Sequence, residues 1–368
     1  MKKVLFMLHL PPPIHGVSQI NTIIKNSTII NSNLECDYIN IATANAISDL
    51  GTHRIGKYFQ ILKLIFSMIK HLISKKYDLI YITPSIPGIG FYKDSVFIFL
   101  AKLFRKKIIC HLHIQGFQED TQNRLKKQFY LSVFKGVKVV HLAESLYKDI
   151  ETIVDKKNVY FIANGVVPVN ELELQKKIDF KSDKFEILFL SNMIEFKGPF
   201  LLLEALVQLA KKYNDIHITF IGKWQDEEFK HKFLEYIKTH SLEKYIAILG
   251  GIYGPEKNQY FLKANIFVLP TRFEAFPLVL LEAMEFSLPV ISTNEGAIPD
   301  IVDDKLTGFI IEKNNVSELI EKIEIIKKDK LLEEFLGRNA RKKFEQNYSS
   351  TIMEQSIYDT IVKVISNE

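Results

Sequence analysis

A chain of 368 residues that is 47% hydrophobic and 25% charged, without low-complexity tracts, is typical of a two-domain globular protein and excludes a disordered or fibrous one. Its two cysteines, Cys36 and Cys110, are too few and too far apart for a disulfide framework or a cysteine metal site. The start, MKKVLFMLHLPPP, has too short an apolar run for a signal peptide, so we expect a buried first strand. We find no apolar stretch in the sequence that is long enough to span a bilayer.

The charge of the chain is divided unevenly. Residues 1–170 contain 22 Lys and Arg against 11 Asp and Glu, whereas the remainder contains 26 against 32. A basic half joined to a mildly acidic half indicates that one face of the protein binds a negatively charged partner. Nucleic acid, anionic lipid and phosphorylated substrates all remain open at this point.

Short β-branched runs alternate with amphipathic stretches along most of the chain. The predicted strands of the first half are KKVLFMLH, YDLIYIT, KKIICHLHI, KVVHLA and NVYFIAN, and the helices between them are VSQINTIIKNSTII, RIGKYFQILKLIFSMIKHLISKK and DSVFIFLAKLFRKK. The predicted strands of the second half are FEILFLS, IHITFIG, YIAILG, NIFVLP, LPVIST and TGFIIE, with helices that include GPFLLLEALVQLAKKY and FPLVLLEAMEFS.

This alternation predicts an α/β fold of two doubly wound domains, each a parallel sheet covered on both faces. We place the first domain at residues 1–170 and the second at 171–345, and we expect a C-terminal helix, 346–368, to cross back to the first domain. Ligands of such sheets bind at the carboxyl ends of the strands, so the cleft between the domains is the expected site.

The stretch TRFEAFPLVLLEAM places two glutamates on either side of a helix start. Pro277 favours the first helical position, N1, which leaves the N–H groups of Leu278 and Val279 free to hold a phosphate. Glu274 stays on the loop, whereas Glu282 lies about one and a half turns into the helix. One carboxylate could therefore hold a sugar and the other a ribose. A charged loop residue and a solvated helix residue would explain the two glutamates equally well.

Two further segments carry candidate site residues. CHLHIQGF places His111 and His113 on the same face of a strand, with His113 nearest its carboxyl end; the alternative is a satisfied core histidine. Gly16, after His15, would let the backbone approach a phosphate or an acceptor. Gly296 lies in a strand-to-helix turn, where a structural role and a sugar contact are both open.

Five segments, in this order, resemble the retaining glycosyltransferases of family 4. PPPIHGVSQIN lies where that family has its N-terminal glycine-rich loop, IANGV is similar to its interdomain Asn-Gly turn, and LFLSNMIEFKGPFLLLEAL resembles its phosphate-binding lysine segment. GGIYGPEKNQYFLKANIFVLP and PTRFEAFPLVLLEAMEFSLPVISTNEGAIPDIV resemble the segments that lead into and contain its E-x7-E motif. The resemblance covers most of the chain. It implies the GT-B architecture, in which two Rossmann-like domains face across a cleft, the first on the acceptor side and the second binding the nucleotide sugar, with no metal required.

The resemblance also implies roles for individual residues. Lys197 would contact the donor diphosphate, Glu282 the ribose hydroxyls, and Glu274 and His113 the donor sugar; a solvated helix-cap lysine is the alternative for Lys197. A fixed cation and helix amides can stabilise a departing diphosphate without Mg²⁺. The catalytic candidates are thus Glu274, His113 and Lys197, and the donor-binding candidates are Gly16, Asn192, Lys197, Ile252, Glu274, Phe276, Pro277, Leu278, Val279 and Glu282.

The sequence departs from the family pattern at the diphosphate site. The family usually has an arginine five residues before the lysine, and here the position is Asn192. Either Asn192 bonds the phosphate or another cation, such as Arg272, substitutes. His15, Ala275 and Pro277 also stand where glycines are common, which predicts stiffer loops.

Two basic amphipathic helices in the first half suit an anionic membrane surface. An ordinary core helix with a solvated cationic face is the alternative for each. The cations are Lys57, Lys63, Lys70, Lys75 and Lys76 in the first helical stretch, and Lys102, Arg105, Lys106 and Lys107 in the second.

We therefore predict a retaining, metal-independent glycosyltransferase of bacterial surface polysaccharide assembly (O-antigen or capsule). It would move a sugar from a nucleotide-diphosphate sugar, with uridine favoured by family frequency, to a glycan or lipid-linked glycan acceptor at the cytoplasmic face of the membrane. Same-face displacement is the expected mechanism, and double displacement stays open. The alternatives are a nucleotide-sugar 2-epimerase of the same fold, which the E-x7-E resemblance disfavours, and a non-catalytic nucleic-acid-binding protein. An NAD enzyme is disfavoured because no G-x-G-x-x-G follows the first strand.

Overall fold

The computed structural model describes residues 1–42, 55–85, 87–172 and 183–366, and it gives only the backbone of residues 55–58. The chain divides into two compact units, Met1–Val167 with Ser350–Glu368, and Pro168–Ser349. We call them the first and the second unit and describe each by itself.

A parallel sheet forms the centre of the first unit. In the described part of the chain its strands lie in the order β2-β1-β3-β4-β5-β6. The strand missing from the prediction is β2, whose charged residues at positions 35 and 37 obscure its pattern; it lies at the edge of the sheet, where one side of the strand meets solvent. The strands are β1 Lys2–Leu8, β2 Leu34–Asn40, β3 Leu79–Ile82, β4 Lys107–Leu112, β5 Lys138–His141 and β6 Val159–Phe161.

Helices pack on both faces of this sheet. The stretch predicted as one helix after β1 breaks at Ser27, whose hydroxyl accepts the Ile30 N–H at 3.1 Å and so caps a second helix. Phe91 and Tyr130 are buried between the helices and the sheet. The helices are α1 Gly16–Asn26, α2 Thr28–Asn33, α3 Ile55–Ser74, α4 Ile89–Leu103, α5 Phe117–Asp120 and α6 Arg124–Phe134.

The second unit is built around another parallel sheet. Its strands lie in the order β12-β11-β10-β7-β8-β9, so the chain starts in the middle, at β7, and reverses direction at β10. The strands are β7 Phe185–Leu190, β8 Ile216–Ile221, β9 Ile246–Leu249, β10 Ile266–Leu269, β11 Val290–Thr293 and β12 Gly308–Ile311.

Amphipathic helices cover this second sheet, and the prediction of two Rossmann-like doubly wound domains is confirmed. Phe220 of β8 and Phe233 of the following helix pack edge to face with ring centroids 5.2 Å apart. The helices are α7 Pro199–Leu209, α8 Glu227–Thr239, α9 Asn258–Lys263, α10 Leu278–Glu285, α11 Ile298–Ile301, α12 Val316–Lys328 and α13 Lys330–Asn347.

The last helix, α14 (Ser350–Ser366), belongs to the first unit. It contacts α2 and β4, and the Lys107 ammonium donates to the carbonyl of Val364 at 3.1 Å. The helix expected at 346–368 therefore begins four residues later, at Ser350, because residues 346 and 347 still belong to α13. None of the helices in the described residues has the length and apolar character that a bilayer span requires.

Ser287, directly after α10, has a left-handed backbone with φ of 55°. A Cβ makes this conformation unfavourable by roughly 1–2 kcal/mol, and a glycine adds about 0.5–1 kcal/mol of entropy cost on folding. We therefore expect Ser287→Gly to raise the free energy of unfolding by about 0.5–1 kcal/mol, measured as a higher urea midpoint. Ser132→Gly, inside α6, is the control and should lower it. An unchanged or lower midpoint for Ser287→Gly would contradict the strain.

Candidate functional site

Two loops meet at the carboxyl edge of the second sheet. One follows β7 and carries Lys197, and the other follows β10 and carries Glu274. β7 and β10 are adjacent and parallel, with Ile187 opposite Ile266, so both loops leave the sheet at the same edge. This is the point at which the strand order reverses, where open α/β sheets bind their ligands.

Backbone contacts hold these two loops together. The Arg272 N–H donates to the carbonyl of Phe196 at 2.7 Å, and the Thr271 hydroxyl donates to the same oxygen at 3.1 Å. Gly198 has a left-handed φ of 79°, and a Cβ there would overlap the carbonyl of Pro270. The lysine loop can therefore approach the glutamate loop this closely only with glycine at position 198.

The result is an ion pair between the predicted phosphate lysine and the predicted sugar glutamate. The Lys197 ammonium donates to a carboxylate oxygen of Glu274, and it lies 3.5 Å from the carbonyl oxygen of Phe273. Both side chains of the pair are mostly buried. The structure thus brings together two candidates that are 77 residues apart in sequence.

Helix α10 begins one residue later than predicted. Pro277 was expected at N1, but its ψ of 105° is extended, which makes it the N-cap, and Leu278 is the first helical residue. The Pro277 carbonyl accepts the Leu280 N–H at 3.1 Å. Leu278 and Val279 are half-buried in the first turn, while Phe276 is buried before it. The first-turn amides at positions 278 and 279 still form the amino end of the helix.

Glu282 forms a second lysine–carboxylate pair on α10. The Lys257 ammonium donates to Glu282 Oε1 at 2.5 Å, and both side chains are mostly buried. The sequence analysis missed Lys257, which ends a short 3-10 turn at Gly254–Lys257 just before α9. Its signal was present only as a lysine within a segment that the family resemblance had already singled out.

The remaining donor-site candidates lie around these pairs. Asn192 is exposed just after β7, and Ile252 is half-buried in the loop after β9. The Arg272 guanidinium lies 3.2 Å from the carboxylate of the exposed Glu195. Gly296, at φ 54°, packs so closely on the backbone of Glu274 that a Cβ would overlap its carbonyl. Gly296 therefore has at least a structural role.

A further carboxylate of α10, Glu285, is buried behind this site. Its carboxylate accepts the backbone N–H of Val169, and Arg341 Nη1 lies 3.9 Å from it. Burial, with a smaller contribution from the charge of Glu282, raises the pKa of Glu285 to about 7 against the lowering effects of the Val169 N–H, Arg341 and Lys257. The sequence analysis did not single out Glu285.

In the first unit, the predicted His111 and His113 lie at the carboxyl end of β4, and His141, which the sequence analysis did not single out, ends the neighbouring strand β5. The rings of His111 and His113 are tilted by 35° with centroids 4.0 Å apart, and the Tyr81 hydroxyl is 2.6 Å from His111 Nδ1. Burial lowers the pKa of His113 to about 3 and that of His141 to about 4. Among the described residues, neither ring nitrogen of His113 has a hydrogen-bond partner, although Asn164 lies beside it.

Gly16 is exposed at the first position of α1. His15 is the N-cap: its Nδ1 accepts the Ser18 N–H at 3.4 Å, and the Ser18 hydroxyl accepts the His15 N–H at 2.9 Å. This reciprocal cap occupies part of the helix start that the sequence analysis assigned to a ligand.

In sequence, the chain is similar to known glycosyltransferases. Residues 170–343, which include Lys197, Glu274 and Glu282, match the family model of glycosyl transferases group 1. The chain is 28% identical over 270 residues to the capsular polysaccharide biosynthesis glycosyltransferase CapM of Staphylococcus aureus, covering 68% of each chain. It is 24% identical over 322 residues to the UDP-Gal:alpha-D-GlcNAc-diphosphoundecaprenol alpha-1,3-galactosyltransferase of Escherichia coli, covering 83% of this chain and 81% of that protein.

Solved structures extend the likeness to the whole chain. Anabaena HepE in complex with UDP and glucose has a TM-score of 0.75 at 16% identity, covering 98% of this chain and all of that one. Sucrose-phosphate synthase from Thermosynechococcus elongatus has a TM-score of 0.77 at 15% identity, covering all of both chains. Together with the sequence matches, this supports a GT-B glycosyltransferase.

Because the two loops are in close contact at Gly198, we expect a single methyl group added there to disturb the structure strongly. We expect Gly198→Ala to lower the free energy of unfolding by about 1–3 kcal/mol, measured as a lower urea midpoint, since the methyl group must displace the lysine loop from Pro270. Gly250→Ala is the matched control, because a Cβ at Gly250 meets nothing within 4 Å. A wild-type midpoint in Gly198→Ala would show that the close contact is not required.

Proposed function

We propose that the protein is a retaining glycosyltransferase that moves a sugar from a nucleotide-diphosphate sugar, UDP-linked, to a lipid-linked acceptor sugar. The observation that carries this proposal is the pair of lysine–carboxylate contacts, Lys197–Glu274 and Lys257–Glu282, at the strand-order reversal of the second sheet. Lysine cations can neutralise a diphosphate, and carboxylates can accept hydrogen bonds from the hydroxyls of a sugar and a ribose.

The second unit has a candidate binding residue for the diphosphate, the ribose and the sugar of the donor. The Lys197 ammonium would leave Glu274, or bridge to it, in order to neutralise the diphosphate, and the first amides of α10 would assist it. Glu282, held by Lys257, would accept the ribose hydroxyls, and Glu274 the hydroxyls of the sugar. The second phosphate ligand would be Asn192, or Arg272 released from its exposed pair with Glu195.

We propose that the reaction proceeds by same-face displacement. The bond between the anomeric carbon and the phosphate oxygen breaks, and the electron pair leaves with the diphosphate. The acceptor oxygen attacks from the same face, and its proton passes to the departing phosphate. Lys197 stabilises the charge that grows on the diphosphate, which is the kind of transition-state stabilisation that does not depend on a metal. His113, with both nitrogens unpaired among the described residues, is assigned to a hydroxyl of the donor sugar.

The biological setting rests on the relatives. CapM belongs to capsular polysaccharide biosynthesis, and the E. coli relative uses UDP-Gal and a diphosphoundecaprenol-linked GlcNAc. We infer a role of this protein in the assembly of a bacterial surface polysaccharide such as capsule or O-antigen. Its place would be the cytoplasmic face of the cell membrane, where nucleotide sugars are made.

Donor turnover tests this proposal. We expect the protein to hydrolyse or transfer from one of a panel of UDP-sugars and to keep that activity in EDTA. Lys197→Ala should lower kcat by on the order of 100- to 1,000-fold, because the diphosphate loses its cation. Glu282→Ala should mainly raise the KM for the donor.

The matched control is Lys212→Ala, which removes a surface lysine paired with Glu324 in the same unit. Wild-type turnover in Lys197→Ala or Glu282→Ala would contradict the site. Loss of activity in EDTA would contradict the metal-independent mechanism. Conversion of the donor to its epimer without an acceptor would favour the epimerase alternative, and a product of inverted anomeric configuration would exclude retention.

We also propose that the first unit binds an anionic membrane surface. Helix α3 exposes a stripe of apolar side chains, and Phe59 and Phe66 are each 70% exposed. The adjacent helix α4 exposes a second stripe with the same spacing of three or four residues. Large exposed apolar stripes of this kind are typical of membrane or protein contacts. The stripes are Phe59, Leu62, Phe66 and Ile73 on α3, and Ile89, Val96, Phe99 and Leu103 on α4.

Only some of the predicted cations accompany these stripes. Lys63, Lys70, Lys76 and Arg105 are exposed, whereas the ammonium groups of Lys75, Lys102, Lys106 and Lys107 bond to groups of the first unit. The side chain of Lys57 lies outside the described residues. The basic surface is therefore smaller than the sequence predicted, and the apolar stripes become the larger part of the membrane proposal.

Binding to liposomes tests the membrane surface. We expect the double variant Phe59→Ser with Phe66→Ser to bind phosphatidylglycerol vesicles at least tenfold more weakly at low salt, since each buried phenyl ring contributes about 1.5–3 kcal/mol. Flotation or sedimentation with the vesicles measures binding. Leu331→Ser, an equally exposed apolar residue of α13, is the control and should bind like the wild type. Failure of the wild-type protein to bind anionic vesicles would contradict the proposal.

A further inference from the structure

The first unit has a strand-order reversal of its own, between β1 and β3. His9 follows β1, and Thr83 and Ser85 follow β3, so these residues stand at the carboxyl edge where the two strands meet. Asp94 comes to the same place from the second turn of α4. The sequence analysis did not single out His9 or Asp94, and the proposed function gives them no role.

Asp94 anchors His9. The Asp94 side chain is fully buried, and its Oδ2 lies 3.0 Å from His9 Nε2 and accepts the Ser85 N–H at 2.8 Å. Lys93 Nζ lies 2.9 Å from the other carboxylate oxygen. Burial alone would raise the pKa of Asp94, but His9 and Lys93 together lower it below its ordinary value. Since an ionised carboxylate only accepts hydrogen bonds, Nε2 of His9 carries a proton.

The backbone of His9 is held as firmly as its ring. Its N–H faces the Thr83 hydroxyl at 3.4 Å, and its carbonyl accepts the Asn21 side-chain amide at 3.0 Å. The Ser85 hydroxyl also approaches Nε2, at 3.2 Å. Within the described residues, the hydrogen bonds of His9 use its N–H, its carbonyl and Nε2 but not Nδ1, and the side chain keeps 14% of its surface exposed.

The surroundings of His9 are polar and hold little net charge. His15 and His113 lie near His9, and burial lowers the pKa of both, which favours the neutral form of their rings. Asp94 is balanced by Lys93, whose ammonium also donates to the carbonyl of Ile41 at 2.9 Å. Neutral imidazoles donate and accept hydrogen bonds at once, which suits sugar hydroxyls better than a phosphate or a carboxylate.

We propose that His9, held by Asp94 at the strand-order reversal of the first sheet, binds a hydroxyl group of the acceptor sugar through Nδ1. This proposal rests on the proposed function and names a residue for its second substrate. His113 of the same cluster is already assigned to the donor sugar, whereas the proposed function gives Nδ1 of His9 no ligand, so we assign this nitrogen to the acceptor. Asp94 is then a positioning residue, which fixes the ring and the nitrogen that carries its proton.

A substitution that keeps the anchor but removes the ligand atom tests this role. In His9→Gln the side-chain amide reaches the position of Nε2 and can still donate to Asp94, whereas nothing replaces Nδ1. A purely structural histidine should therefore tolerate glutamine. We expect the ratio of transfer to donor hydrolysis to fall at least tenfold, with a raised KM for the acceptor and an unchanged urea midpoint.

The donor for the measurement is the UDP-sugar that the wild type hydrolyses fastest, and the acceptor probes are octyl glycosides of N-acetylglucosamine, glucose and galactose. His71→Gln is the matched control, since His71 lies on α3 and its Nδ1 contacts only the carbonyl of Ser67, at 2.8 Å. A wild-type ratio in His9→Gln would overturn the inference. A wild-type protein that hydrolyses no nucleotide sugar would instead contradict the proposed function, so the two failures are distinguishable.

Discussion

The contact between the loops after β7 and β10 is the constraint on which the proposed donor site depends. These strands are neighbours although a large part of the second unit lies between them in sequence, so their loops must share one small volume. Gly198 allows the backbones to touch, and the bond from the Arg272 N–H to Phe196 fixes their register. Only then can Lys197 reach Glu274. The ion pair is a consequence of the strand order and of one glycine, and a lysine placed elsewhere on the same surface would not form it.

The two sheets use the same topological position for different chemistry. At the reversal of the second sheet, lysines face carboxylates beside the amino end of α10, which favours a ligand that carries charge. At the reversal of the first sheet, the buried Asp94 holds His9 near His113, whose ring is neutral. This cluster favours a ligand with hydroxyls. A transferase needs both kinds of ligand, because its leaving group is an anion while its second substrate is a neutral sugar ring. The division of charge along the sequence does not reveal this difference, since it averages over whole surfaces.

The sequence predicted what is local and missed what depends on contacts distant in sequence. Strands such as β7 and β10 are short apolar runs, so their pattern and the loops that follow them were predicted correctly. β2 was missed because an edge strand tolerates charged residues, and the break at Ser27 was missed because a hydroxyl cap interrupts a continuous helical pattern. The pairing of Glu282 with Lys257 could not be predicted from spacing, because it depends on how a 3-10 turn lies against α10. The anchor of His9 is harder still, since 85 residues separate it from Asp94.

Helix α10 contributes to two parts of the second unit, the proposed donor site and the segment around Val169. Its amino end and Glu282 point to the donor site, while Glu285, less than one turn later, is buried and holds the backbone N–H of Val169. Val169 is among the first residues of the second unit, so the helix that supplies the donor groups also fixes the segment with which the chain enters that unit. The two carboxylates are coupled, because the charge of Glu282 raises the pKa of Glu285. Lys257 lowers the same pKa, and a displacement of Lys257 from Glu282 would therefore alter the charge balance around the Val169 contact. The donor site and the start of the second unit are thus linked through one short helix.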